Sequence, residues 1–166
     1  STSGNIQVTG ITNAGGTDLN NTAGILANSS SNNIFFRAGG SGTVTLIGTA
    51  TAGDHPGIAF LAGGSGNTNP GTIGSGATVF TADGSGSSPD LFSFTSASGQ
   101  VNVGQAASTG PLTINADSIE LNQSGSALRV RGAGALTIQP RTANTAINLG
   151  SGATNSGLQL DDTELG

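Results

Sequence analysis

Cysteine, methionine, tryptophan, tyrosine and lysine are all absent from this chain, and proline occurs only five times in 166 residues. Without cysteine there is no disulfide framework and no thiolate metal site, and the absence fits either redox compartment. Without tryptophan or tyrosine, sugar rings find little to stack on. Basic residues are scarce as well: four arginines against nine acidic residues give a net charge of −5, so no basic stripe is available for phosphates and nucleic-acid binding is excluded as an expectation. Charged residues make up only 8% of the chain, too few for a self-repelling disordered polyelectrolyte. No run of 18 apolar residues could span a membrane. No charged-then-apolar leader and no initiator methionine open the chain, so Ser1 reads as a processed or excised start.

What the chain has is glycine, 29 residues of it, together with much Ser, Thr, Asn and Ala and a recurring apolar-polar-apolar triplet. In the C-terminal half the triplets fall at Val101/Val103, Leu112/Ile114, Ile119/Leu121, Leu128/Val130, Leu136/Ile138, Ile147/Leu149 and Leu158/Leu160. Alternate triplets form two interleaved series with steps of 16 to 22 residues. Spacing of two sends the flanking residues to one face of a strand and the middle residue to the other. No window offers the i, i+3, i+4, i+7 apolar pattern with strong helix formers. A lone triplet is too short to persist, because ordering each residue costs about 1–2 kcal/mol of backbone entropy. Stacked at about 4.8 Å, however, such triplets hydrogen-bond above and below and gather their apolar residues into an interior. The expectation is an all-β, parallel β-helix (β-solenoid) of about 8 turns of about 19 residues, forming one module over residues 1–166.

The first hundred residues read as irregular turns, and 101–166 as regular ones. "NIFFRAGGSG" (33–42), "GIAFLAGGSG" (57–66) and "ATVFTADGSG" (77–86) align without gaps, which places Phe36, Phe60 and Phe80 in one register. "TATAGDHPG" (49–57) and "GNTNPGTIGSG" (66–76) read as loops leaving the coil, since Pro and Gly interrupt a ladder. The outward residues divide into one face of Asn102, Glu120, Thr137 and Gln159 and another of Thr113, Arg129 and Asn148.

The segment "GALTIQPRTANTAINLGSGATNSGLQLDDTELG" (134–166) resembles the repeats of bacterial filamentous-haemagglutinin-like exoproteins of the two-partner-secretion type. The matching positions are Leu136, Ile138, Pro140, Arg141, Thr142, Ile147, Leu149, Gly150, Leu158, Leu160, Glu164 and Leu165; the likeness is clearest over 101–166. The resemblance implies a secreted, right-handed β-helix at the cell surface, serving as adhesin or structural fibre, and carries no catalytic residue.

Candidate chemistry is sparse. His55, beside Asp54, has no second histidine or cysteine to complete a metal site and reads as loop decoration. The stretches "AGGSGT" and "AGGSGN" resemble a calcium-binding β-roll repeat, but Val44 and Thr68 stand where its Asp would be. Asp161, Asp162 and Glu164 are the densest acidic cluster, a weak Ca²⁺ candidate. Thr-rich pieces such as "TVTLIGTATAG" (43–53) raise an ice-binding surface, and a ligand-binding β-solenoid, with a glycan or ice surface, is the alternative, ahead of a polysaccharide-degrading β-helix. The expectation is a non-enzymatic, secreted structural protein, either a stalk module of an adhesin or a filament subunit. Its contacts would be head to tail with itself or with further turns of a longer chain, through Ile6, Val8, Leu158, Leu160 and Leu165, with a host or surface glycan as another partner.

Overall fold

A computed structural model of the protein describes residues 3–17, 22–97, 100–125, 128–149 and 158–160. The strands come in successive sets of three. The first set is β1 (Ile6–Thr12), β2 (Ile25–Ser29) and β3 (Ile34–Phe36). The second is β4 (Val44–Ala50), β5 (Ile58–Ala62) and β6 (Asn67–Pro70), and the third β7 (Thr78–Asp83), β8 (Leu91–Ala97) and β9 (Gln100–Gly104). The fourth is β10 (Leu112–Asn115), β11 (Ile119–Gly125) and β12 (Leu128–Arg131), followed by β13 (Leu136–Gln139), β14 (Ile147–Leu149) and β15 (Leu158–Leu160). Among the described residues there is no helix.

Corresponding members of the sets pair, and every pair is parallel. Sheet A runs β1-β4-β7-β10-β13, sheet B runs β2-β5-β8-β11, sheet C runs β3-β6-β9-β12, and β14 pairs with β15. This is the all-β, parallel-sheet architecture expected of a β-solenoid, and an antiparallel sandwich is ruled out for the described strands. The expected offset of about 19 residues is corrected. Strands in sheet A pair at offsets of 38, 34, 34 and 24 residues, and those in sheet B at 33, 33 and 28. Through β13, consecutive triplets belong to different sheets, so the partner of a triplet is the third one along, not the second; the last two triplets, Ile147/Leu149 and Leu158/Leu160, pair with each other.

Three further expectations change with that register. Phe36, Phe60 and Phe80 do not share a column: they lie on β3, β5 and β7, in three sheets. Thr113 stands beside Thr137, and Asn102 beside Arg129, so the two proposed outer faces were mixed. The stretches expected to loop out are instead stacked. "GNTNPGTIGSG" contains β6, and its corner donates from Gly71, Ile73 and Ser75 to the carbonyls of Phe36, Ala38 and Gly40 at 2.8–2.9 Å. A corner can pair like a strand when each layer repeats its backbone path.

The core follows from alternation. Val44, Leu46 and Ala50 of β4 are buried while Thr45, Ile47 and Thr49 are half-buried on the other side, and β7 and β10 repeat the pattern. Phe60 and Phe80 meet edge-on inside, their ring centres 5.4 Å apart. Each contributes about 1.5–3 kcal/mol by leaving water. Thr78 interrupts the inner column between Val44 and Leu112, yet its hydroxyl accepts the Thr72 N–H at 2.9 Å, so the buried oxygen is satisfied. Not every triplet is dry: Leu136, Ile147 and Leu149 are half or more exposed, because no described strand stacks over β13 and β14 joins none of the three long sheets.

Candidate functional site

Three features run along the stack. The first is a glycine column at the entrance to sheet A. Gly4, Gly42, Gly76, Gly110 and Gly134 each stand two residues before their strand, at the same offsets as the strands themselves. A Cβ on Gly42 would strike the carbonyl oxygen of Gly4, one on Gly76 that of Gly42, one on Gly110 that of Gly76, and one on Gly134 that of Gly110. The close approach excludes every other residue type. This column was missed by reading apolar pairs, although "SGTVTLIG" (41–48) and "SGATVFTA" (75–82) carry it openly.

The second feature is a set of side-chain ladders. Gln139 Nε2 donates to Asn115 Oδ1 at 2.7 Å, and Asn115 Nδ2 donates to Thr81 Oγ1 at 3.1 Å. Asn5, Asn33 and Asn67 each accept, through Oδ1, the N–H of Thr43, Asn67 and Gln100 at 3.0 Å. Each amide ties its layer to the next. On the outer side of sheet A this leaves two uncharged columns, Gln7, Thr45, Val79, Thr113, Thr137 and Thr9, Ile47, Thr81, Asn115, Gln139.

The third is an aspartate staple at the corner between sheets A and B. The Asp54 carboxylate accepts the Ser87 N–H at 2.8 Å. Buried Asp90 accepts from Gly84 N at 2.7 Å, from Asp117 N at 2.6 Å and from Ser118 N at 3.3 Å, while the Ser118 hydroxyl accepts the Asp90 N–H at 2.9 Å. Asp117 in turn accepts the N–H and hydroxyl of Thr142. Arg141 reaches Asp83 at 2.8 Å and Asp117 at 3.7 Å. Burial pushes the Asp90 carboxyl above its ordinary value, against the pull of its three N–H donors. For Asp117, partial burial works upward, but the Thr142 donors and the Arg141 charge prevail and hold the carboxyl below the ordinary range. The contacts of Asp54, Asp90 and Asp117 each join one layer to the next.

The sequence candidates divide. Ile6 and Val8 lie on β1, the outermost strand of sheet A, half-buried against the core. Leu158 is fully buried in the chain's own core. Leu160 ends β15. Leu165 and the acidic trio Asp161, Asp162 and Glu164 lie outside the described residues. His55 is also corrected: it is 1% exposed, set under the corner where its carbonyl accepts the Ser85 N–H at 2.9 Å, not loop decoration. An open cleft places Asp54 and Glu120 among Thr17, Ser87, Ser88 and Pro89. No group of three or more His, Asp or Glu side chains converges among the described residues. Among them, no helix is long and apolar enough to cross a membrane.

Parallel sheets threaded by repeated glycine, amide and aspartate contacts define a stacked-layer β protein. No family model, curated protein or solved structure matches the chain.

Proposed function

We propose that this protein is a non-enzymatic structural module, a right-handed parallel β-helix displayed outside the cell as the stalk of an adhesin or as a filament subunit. The observation that carries the reading is the pairing of each strand from β1 to β10 with the third one along in three parallel sheets, which is what a chain coiling around one axis produces. Stability in such a coil is a sum over neighbouring layers, so length can be added without redesign. The resemblance of 134–166 to filamentous-haemagglutinin-like repeats supports secretion and display. A tandem fusion of two copies tests the coil by small-angle X-ray scattering. It should lengthen the particle by about 4.8 Å per added layer at constant cross-section. Growth in all three dimensions would contradict it.

A second reading rests on the two uncharged outer columns of sheet A, five of whose ten positions are threonine. A regular hydroxyl array of this kind suits ordered water or ice. Thermal hysteresis of the purified chain checks it, and its absence removes this alternative.

A further inference from the structure

We infer that the outer edge of β1 receives the outer edge of β13 from a second copy of this chain, joining molecules head to tail through sheet A. The inference rests on the coil proposed above and adds the partner and its register.

The glycine column carries the argument. Gly42, Gly76, Gly110 and Gly134 are glycine because the carbonyl of the preceding layer occupies the place of a side chain. Gly4 heads the column, is exposed, and has no described strand beneath it. By the direction of the other four, a side chain at Gly4 would project away from the chain's own layers. A carbonyl from a further layer would stand against Gly4 as those of Gly4, Gly42, Gly76 and Gly110 stand against the next glycine of the column.

The opposite edge of the same sheet supplies that carbonyl. β13 is the other outermost strand, and Gly134 occupies the column position before it. Continuing the internal register sets Leu136 against Ile6, Ile138 against Val8, Thr137 against Gln7 and Gln139 against Thr9. Leu136, 50% exposed in the single chain although it already stands beside Leu112, then meets a second aliphatic partner on its open side, as Val44 meets Ile6 inside the sheet. Edge strands are commonly guarded by charge, proline or a bulge. Neither IQVTGIT nor LTIQ contains a charge or a proline. An edge that meets a different edge of the next copy does not close on itself and propagates into a fibre.

Sedimentation velocity and negative-stain electron microscopy across a dilution series test this. The wild-type chain should shift to faster-sedimenting species as concentration rises and give fibres. Gly4→Val should lose that shift and, because its β13 edge is intact, shorten wild-type fibres when mixed in at low ratio. Gly15→Val, on the same layer but with nothing within 4 Å of an added Cβ, should associate as the wild type does. Association of Gly4→Val equal to wild type overturns the inference. So does a wild-type chain that stays monomeric throughout, leaving the β1 edge to a strand from elsewhere in a longer polypeptide. Strand content by circular dichroism at the lowest concentration separates the two ideas: monomers with an intact β spectrum sink the docking alone, and a lost β spectrum sinks the coil.

Discussion

Replacing Gly76 by alanine is the sharpest local perturbation the stack offers. The new Cβ would lie on the Gly42 carbonyl, with the Gly42 carbon at 2.6 Å and the Ser41 oxygen at 2.8 Å. All are backbone atoms, so none can rotate away. Relief requires prising β7 from β4 at their common start, where Ser75 N and Gly76 N donate to Gly40 O at 2.8 and 3.3 Å and Val44 N donates to Ala77 O at 3.0 Å. Overpacking of this kind costs about 1–3 kcal/mol. Each hydrogen bond that opens adds about 1 kcal/mol. The expected loss is about 3–5 kcal/mol, a large part of the 5–15 kcal/mol typical of a domain. Gly15→Ala is the matched control, because nothing lies within 4 Å of its Cβ and its expected effect is neutral to stabilising by about 0.4–1 kcal/mol. With no tryptophan or tyrosine to report by fluorescence, urea unfolding is followed by far-ultraviolet circular dichroism. A Gly76→Ala variant within about 0.5 kcal/mol of wild type would refute the column.

Other substitutions probe the remaining links. Phe80→Ala removes a fully buried ring that contacts Phe60 and should cost about 3–5 kcal/mol in the same assay. Asp90→Ala strands the N–H groups of Gly84, Asp117 and Ser118 and should cost about 2–3 kcal/mol, with loss of amide-exchange protection confined to that corner. Because the Asp117 carboxyl is held below its ordinary 3.8, its contribution is present above that value and lost as the pH falls through the folded one. Asp117→Asn should therefore flatten the acid limb of a stability-versus-pH curve, and an unchanged limb would contradict the assignment. Asp90 acts with the opposite sign: its raised pKa makes its contribution fall as the pH climbs from 3.8 through the folded value. Arg141→Ala should cost no more than about 1 kcal/mol, since Arg141 and its nearer partner Asp83 are both more than one-third exposed.

Strand positions were legible because alternation is a local signal: Leu112/Ile114 or Leu136/Ile138 can be read from four residues. Pairing was not legible from the same signal, since an aliphatic pair carries no mark of the sheet it belongs to. The glycine two residues before each sheet A strand does carry one, because there backbone lies on backbone from layer to layer. Loops misread as excursions failed for a related reason. Pro70 and Gly71 break a ladder only if the neighbouring corner follows a different path, and here Gly71, Ile73 and Ser75 find carbonyls in the layer before. His55 looked exposed because Gly and Pro flank it, whereas its burial comes from stacking of the Ser85 corner, a long-range contact. The aspartate staple was equally hidden, joining Asp90 to residues 27 and 28 positions away.

The in-register parallel stack itself is tested most directly by paired nitroxide spin labels, placed on introduced cysteines in this cysteine-free chain. Labels at Thr45 and Val79, and at Thr113 and Thr137, face outward on neighbouring strands of sheet A, whose backbones lie about 4.8 Å apart. Both pairs should show strong dipolar broadening, while labels at Thr113 and Arg129, on different sheets, should not. Broadening of the Thr113/Arg129 pair with none for Thr45/Val79 would contradict the register and the architecture built on it.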